Sequence, residues 1–554
     1  MRIFFKNYLS RTHILLLILA MGFFCNEAEG QYVPVHVDNT GIYELLDELA
    51  NMGIIDIATI TKPYGRKFIS DRLVEASGHD DLSGRIKNEI AFYLRDFGKE
   101  QSVERPANKR FDLFYHSDSL FQLTVNPVLG LEVLSSGGEM AYHRFNGGEL
   151  HGTIGKHFGF YAGLRDNHES KVLGGPDYLV SRRGAVYKSD DDSGDYSEAR
   201  GGVTWSWDWG RIGLHKDSYQ WGYGYNGANI FSGNAPSYAF LSFSISPLPW
   251  FQLDFMHGWL VSEVVDSAES FNYYDGTREV FANKYVAANL ITVRPLPRLY
   301  ISAGNSIVYA DTDVNPAFLI PVMFYKSVDH TYNGASNDVG QNAQMFFGVS
   351  SRQIQHFHLY TTLFVDEISI NRMFDKHQQS NYISLKAGVR ASNLVEGTAF
   401  TLEYTRNHPM VFQHKIPTTT WKSNGYNMGH YLQDNSDEVF LSFQFRPVRG
   451  LKLELSHSIA RKGKNYQEIL VEGRETEYSE INQEEPRWGL PFMDEVRWKL
   501  QKTALSGSWQ VINDGYLYFS LTHQDVSGSD KDKYLPPFLM EGAVTGNLGI
   551  NYGF

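Results

Sequence analysis

GAVTGNLGINYGF, residues 542–554, alternates side chain by side chain. Val544, Gly546, Leu548, Ile550 and Tyr552 fall on one side, while Thr545, Asn547, Gly549, Asn551 and Gly553 fall on the other. A strand has a side-chain period of two, so the segment presents one apolar face and one small or polar face. It stops on an aromatic carboxyl terminus, Phe554. An alternating terminal strand of this kind resembles the sorting signal of outer-membrane β-barrels, with Tyr552 and Phe554 as its aromatic anchors. That resemblance implies a chain handled by the barrel-assembly machinery and solvated by outer-membrane lipid.

The amino terminus agrees. Arg2, Lys6 and Arg11 precede the apolar run Ile14 to Phe24, and Ala28-Glu29-Gly30 supplies small residues before Gln31. This is the pattern of a cleaved export signal over residues 1–30, too short to span a bilayer as a retained helix. The single cysteine, Cys25, lies within it. A bulky Phe24 stands directly before that cysteine, which argues against lipid attachment there. With the signal removed, no disulfide or thiolate chemistry remains.

Beyond residue 30 the chain has no run of eighteen apolar residues, so no helical membrane span is expected. The mean hydropathy of −0.33 does not conflict with a barrel, whose lipid face is hidden by alternation. The formal net charge of −13 argues against a nucleic-acid partner. The 10 Trp, 33 Tyr and 36 Phe are enough to build aromatic girdles at both membrane surfaces.

Two regions follow the signal. Residues 31–110 carry the helical patterns. Asn39 and Thr40 can cap a helix with Ile42, Leu45, Leu46 and Leu49 on one stripe, ended by Gly53. Phe68, Ile69 and Leu73 mark a second helix, and Ser83 caps a third with Ile86, Ile90, Leu94 and Phe97. The charged, proline-containing stretch from Lys99 to Arg110 is a linker. Residues 111–554 read with period two: Phe251, Leu253, Phe255 and Trp259 oppose Gln252, Asp254 and Gly258. Leu451, Leu453, Leu455 and Ile459 oppose Lys452, Glu454, Ser456 and Ser458 in the same way, as do Val439, Leu441, Phe443 and Phe445 against Ser442, Gln444 and Arg446.

Tight turns are expected at Lys156-His157-Phe158, Trp209-Gly210-Arg211, Pro247-Leu248-Pro249, Pro295-Leu296-Pro297, Gln353-Ile354-Gln355, Asn393-Leu394-Val395, Pro447-Val448-Arg449 and Asn513-Asp514-Gly515. They alternate with long Gly-, Asn- and Asp-rich stretches near 168–197, 216–236, 263–283, 310–340, 409–436 and 462–492. Short periplasmic turns and long external loops are the habit of outer-membrane barrels. Eight inner turns plus a first and a last strand give about 18 antiparallel strands, with sixteen as the alternative.

Three segments carry a family resemblance. Tyr43-Glu44-Leu45-Leu46, followed by Gly53-Ile54-Ile55 and Lys62-Pro63-Tyr64-Gly65-Arg66, resembles the helical region of Wzi-type capsule-assembly proteins. Trp221-Gly222-Tyr223-Gly224-Tyr225, then Ser232-Gly233-Asn234-Ala235-Pro236, resembles their Trp-Gly-x-Gly loop and Asn-Ala-Pro motif. Asn315-Pro316 with Pro321 and Phe324-Tyr325-Lys326 resembles a third segment. The family pattern has Pro where Tyr223 stands, which marks a divergent branch. The resemblance implies an outer-membrane barrel with a periplasmic helical plug, acting as a lectin for capsular or other surface polysaccharide.

The loop 216–236 suits that role chemically. Tyr219, Trp221, Tyr223 and Tyr225 offer flat apolar faces, and Asn226, Asn229 and Asn234 offer paired amide donors and acceptors for hydroxyl rims. The alternative is that the aromatics are girdle residues and the Gly and Asn shape the loop. Residues 316–324, PAFLIPVMF, are too apolar for a solvated loop. They are expected to fold into the lumen, with Phe318, Phe324 and Tyr325 narrowing it; the alternative is a loop packed on itself above the rim. Asp190, Asp191, Asp192, Asp195 and Glu198 lack the ordered spacing of a calcium loop and read as a solvated acidic stretch, so no metal or cofactor is expected. His215, His257, His457 and His523 lie in or beside strands, but no Gly-x-Ser-x-Gly or His-Glu-x-x-His pattern accompanies them, so no catalytic residue is assigned. Surface polysaccharide binding is the leading reading. The rivals are a passive channel for small polar solutes and, less favoured, a barrel hydrolase.

Overall fold

The structure, a computed structural model, describes residues 31–101, 110–174, 187–334, 341–368, 381–466, 490–540 and 544–553. The expected export signal over residues 1–30, Phe554 and most of the linker lie outside these residues. Alternating sequence produces long strands, and among the described residues eighteen of them close into one antiparallel barrel. In chain order they are β1 (Phe121–Ser136), β2 (Glu139–Ile154), β3 (Phe158–Ser170), β4 (Ser193–Trp207), β5 (Gly210–Asp217) and β6 (Tyr238–Leu248). Then follow β7 (Phe251–Val265), β8 (Phe281–Leu296), β9 (Leu299–Ala310), β10 (Asn342–Ser351), β11 (Phe357–Glu367) and β12 (Tyr382–Ser392). The last six are β13 (Thr398–Asn407), β14 (Ser436–Phe445), β15 (Leu451–Lys462), β16 (Trp498–Ile512), β17 (Gly515–Ser527) and β18 (Thr545–Tyr552).

The terminal strand closes the ring. Ile550 lies opposite Leu131 and Leu548 opposite Val133 where β18 meets β1. Leu548 and Ile550 are 68% and 55% exposed, as a lipid-facing row should be in a structure without lipid. All eight expected tight turns are present, joining β2–β3, β4–β5 and so on through β16–β17. One expected loop is shorter than its sequence suggests: β4 begins at Ser193, so Asp195 and Glu198 are strand residues. Their side chains part company there, Asp195 to His168 at 2.7 Å and Glu198 to Arg165 at 3.1 Å.

The helical patterns also form. α1 (Thr40–Asn51) buries Ile42, Leu45, Leu46 and Leu49, and Gly53 follows it at φ +77°, a left-handed conformation that glycine adopts without strain. α2 (Arg66–Ser77) buries Ile69 and Leu73. α3 (Gly84–Phe97) is capped by Ser83, whose hydroxyl accepts from the Ile86 N–H at 3.4 Å. The three helices share one apolar core and seat on the barrel mouth that carries the tight turns.

That seating is electrostatic. The acidic side of α1 meets basic residues at the tight-turn ends of the barrel. Glu44 bonds Arg446 at 2.6 Å and Lys452 at 2.9 Å, Asp47 bonds Arg352 at 3.0 Å, and Glu48 bonds Arg446 at 3.0 Å. Burial alone would raise the Glu44 carboxyl, but Lys452 and Arg446 outweigh it and hold it down at about 2.

Candidate functional site

The two faces of the wall are told apart by β7. Trp259 and Val261 are exposed on one side, whereas Met256 and Leu260, of opposite parity, belong to the buried cluster that holds Trp221 and Tyr223. The loop carrying Trp221 bonds Thr362, Ser384 and Glu403, on β11, β12 and β13, so it lies inside the barrel. This corrects the expectation of an external aromatic surface. Trp221 is 0% exposed and Tyr223 2%, while Tyr225, Asn226 and Asn234 keep partial exposure.

The motif WGYGYNG is shaped for the lumen rather than for display. Gly224 sits at φ +157°, and a Cβ there would lie 2.1 Å from the Gly227 carbonyl oxygen and 2.5 Å from Lys386 Cε. Only glycine fits. The tip is then gripped: Glu403 accepts from the N–H of Tyr225 at 2.6 Å and of Asn226 at 3.0 Å, and from the Tyr360 hydroxyl. Lys386 neutralises Glu403 at 2.9 Å and donates to the Asn226 carbonyl at 3.1 Å. The Asn226 amide donates to Glu438 at 3.0 Å, and Asn229 donates to the Thr362 and Ser384 carbonyls at 3.2 Å each. Arg390 lies over the Tyr225 ring at 4.5 Å. Buried charges paired and bonded in this way hold position, and removal of either partner would leave the other stranded.

Two further chain segments meet this loop. Thr61-Lys62, from the helical region, pairs with Gln220-Trp221, which also pairs with Phe231-Ser232. The Gly222 N–H donates to the Ile60 carbonyl at 2.8 Å. The loop between β13 and β14 adds Phe412, Trp421 and Met428, and the Trp421 indole donates to the Ile230 carbonyl at 3.0 Å. One side of the lumen is therefore a packed core that includes wall residues Val286, Ala288, Leu290 and Val308. The other side is polar, with paired Arg165–Glu198 and Arg200–Glu149 and partly exposed Tyr516, Tyr518, Ser520 and Asn547.

Phe318, Phe324 and Tyr325 do not obstruct the lumen. Their segment, between β9 and β10, packs on the opposite face of the wall. Phe318 and Tyr325 are buried against Phe255, Tyr285, Ala287, Ile307 and Tyr309, all of outward parity. The expected burial of this apolar run occurs, but the surface that buries it is the outside of the barrel. Phe324 is 48% exposed.

The strand histidines divide similarly. His215 faces inward, bonding Ser242 at 3.1 Å and stacking on Phe240, with both His215 and Ser242 buried. His257 faces outward and meets the Tyr309 hydroxyl at 2.7 Å. His457 is bonded to Thr503 at 2.9 Å. Sequence reading passed over Lys386, Glu403 and Glu438. Their signal was available: each is a charged residue at an inward position of an alternating strand, where lumen contacts are made.

An apolar outer wall, short turns on one side and folded loops inside the lumen define a β-barrel of the Gram-negative outer membrane. The model of the capsule assembly protein Wzi family matches residues 175–515, more than half of the chain. The chain belongs to that family. Among solved structures it is similar to Wzi of Escherichia coli, described as an outer membrane protein involved in group 1 capsule assembly and a carbohydrate-binding β-barrel. That likeness spans 95% of this chain and 99% of the other, at 13% identity and a TM-score of 0.58. OccAB2 of Acinetobacter baumannii is similar over 78% of this chain and 97% of its own, at 11% identity and a TM-score of 0.42, too low to support an argument. No curated protein matches the chain in sequence.

Proposed function

We propose that the protein binds surface polysaccharide at the outer membrane in capsule assembly or attachment, as a plugged rather than conducting barrel. The observation that carries this reading is the meeting of the helical region and the external loop inside the lumen, where Thr61 and Phe231 both pair with Trp221. A path interrupted there suits a surface-binding protein better than a channel. The carbohydrate binding ascribed to Escherichia coli Wzi supports the ligand class.

The contact surface is proposed at the β7–β8 hairpin, with Tyr225, Asn226 and Asn234 inside the barrel shaping the loop below. Phe271, Tyr273 and Tyr274 are 53%, 56% and 104% exposed there, and Asn272 accepts from Thr277 at 2.7 Å beside them. Aromatic faces next to amides and hydroxyls match the C–H faces and hydroxyl rims of sugars. Trp221 and Tyr223 would then serve by shape, holding the loop. Residues 1–30 are proposed as the cleaved signal, 31–110 as the periplasmic segment and 111–554 as the barrel. Tyr552 and Phe554 are proposed as the insertion signal read by the assembly machinery.

Deleting the gene should release capsule into the medium. Tyr273→Ala combined with Tyr274→Ala should release it severalfold over the parent while heat-modifiable gel migration, which reports a folded barrel, stays intact. Full capsule retention in the deletion strain would refute the function; retention in the double variant alone would refute the hairpin site. Purified protein should give no steady current in planar bilayers, and large steady currents would favour the channel.

A further inference from the structure

The segment between β9 and β10 has an unusual address. Its capped turn (Asn315 to Ala317, 3.0 Å), the apolar stretch after it and α4 (Tyr325–Asn333) lie on the outer, lipid-side face of β7, β8 and β9. Two polar wall residues explain why. Asn289 and Asn305 sit opposite each other at outward positions of β8 and β9, bonded amide to amide at 2.8 Å. Both donate to the Met323 carbonyl, at 2.8 and 3.2 Å, and Asn305 accepts from the Tyr325 N–H at 2.9 Å. Amides facing hydrocarbon with no partner would be strongly disfavoured, and here the segment supplies the partners.

The contact is deep. Asn305 lies six residues along β9 from Leu299 at the tight-turn end. At about 3.3 Å per residue and a tilt of about 40°, that is about 15 Å up a lipid-facing band about 25 Å tall. Ile291 and Ile301, next to this site on the same face, are bare wall at 39% and 42% exposure. The segment therefore starts in the external loops and descends to mid-membrane. Over residues 316–324 what it turns away from the wall is apolar: Ile320, Val322 and Phe324 are 40%, 70% and 48% exposed, whereas α4 turns Lys326, Ser327, His330 and Thr331 outward. Lys326 is exposed next to them, and its four-carbon stem can carry the ammonium toward the headgroups.

The geometry points to residues 316–324 as a membrane-embedded bracket, latched to the outer wall by Asn289 and Asn305, whose exposed Ile320, Val322 and Phe324 contact the acyl chains of outer-leaflet lipid, with the polar face of α4 returning toward the headgroups. The bracket is a lipid-binding surface independent of the polysaccharide site. It makes one sector of the barrel thicker than the strand wall alone and couples that sector to the leaflet facing the environment.

Site-directed spin labelling tests it. In a Cys25→Ser background, nitroxides are placed by Val322→Cys and Phe324→Cys in the full chain, reconstituted in phosphatidylcholine vesicles. Ile291→Cys serves as the bare-wall reference and Tyr274→Cys as the water reference. Collision with oxygen, which concentrates in hydrocarbon, should exceed collision with a water-soluble nickel chelate severalfold at 322 and 324, as at 291. A nickel-dominated label at both positions, as at 274, would overturn the proposal. So would protection from both reagents with spin–spin broadening, which would mean that a second copy covers the patch. Asn305→Leu, or Asn289→Leu as a second variant, should raise label mobility at 324 while heat-modifiable migration persists. Unchanged mobility in a folded variant would remove the latch from the argument.

Discussion

Two external loops of this barrel are rich in apolar residues, and the chain buries them on opposite sides of the same wall. Residues 218–237 go inward, where Trp221 reaches 0% exposure among Met256, Val286 and Phe346. Residues 311–334 go outward, where Phe318 and Tyr325 settle on Phe255, Tyr285 and Tyr309. The inner loop ends in charge-assisted bonds to Glu403 and Glu438, and the outer one in neutral amide bonds to Asn289 and Asn305. Apolar content says that a loop will be buried. Which face buries it depends on the polar partners the wall offers at the right depth.

The largest effect is expected from Trp221→Ala. A fully buried indole lost from a core that cannot collapse costs about 3–5 kcal/mol. The backbone pairing of residue 221 with Thr61 and Phe231 then loses the indole that packs it. The melting temperature should fall markedly, and intermittent currents should appear in planar bilayers. A silent, equally stable variant would show that the β13–β14 loop with Trp421 closes the lumen unaided. Asn305→Ala comes second. It strands the Tyr325 N–H in an apolar setting, at about 1–3 kcal/mol. Hydrogen exchange should quicken in residues 316–333 and stay unchanged in 218–237; equal quickening in both would erase the distinction between the loops.

Acid should separate them a third way. The inner loop is tied through Thr61 to the helical region, and α1 is held by carboxylates. The folded Glu44 carboxyl is depressed to about 2 from 4.5, so its contribution is fully present above about pH 4.5 and is lost as pH falls through about 2. Glu48 is lowered as well. Between those values α1 should loosen, seen as faster exchange in residues 40–51 and then in 218–237, with 316–333 unaffected. Glu44→Gln should remove much of this acid dependence.

Much of the fold was legible because period-two alternation and turn chemistry are local. The eight tight turns, the three helices with their Ser83 cap and the eighteen strands all follow from residues within a dozen positions of one another. The loop readings failed because a loop has no parity. Trp221 pairs with Thr61, 160 residues earlier, and Met323 pairs with Asn289 on a preceding strand, and no local period reports either contact. Asn289 and Asn305 were nonetheless visible as polar residues at outward positions, and so were Lys386 and Glu403 at inward ones. Amides on the outward, apolar face and charges on the inward one mark the stretch of wall that a loop covers.

The smallest effect is expected from Phe324→Ala, and it sharpens the comparison most. Truncating a buried phenylalanine leaves a cavity that the surrounding structure only partly fills, so Phe318→Ala, at 3% exposure, should cost about 3–5 kcal/mol. Phe324 is 48% exposed on the same segment. If its outer face meets acyl chains, fluid lipid closes over the missing ring and no cavity remains. Lipid tails are as apolar as the side chain they replace, so the change should stay below about 1 kcal/mol. The pair is measured by thermal unfolding in lipid vesicles. A Phe324→Ala loss matching that of Phe318→Ala would mean that protein, not lipid, packs against both rings, and the outer loop would then be as enclosed as the inner one.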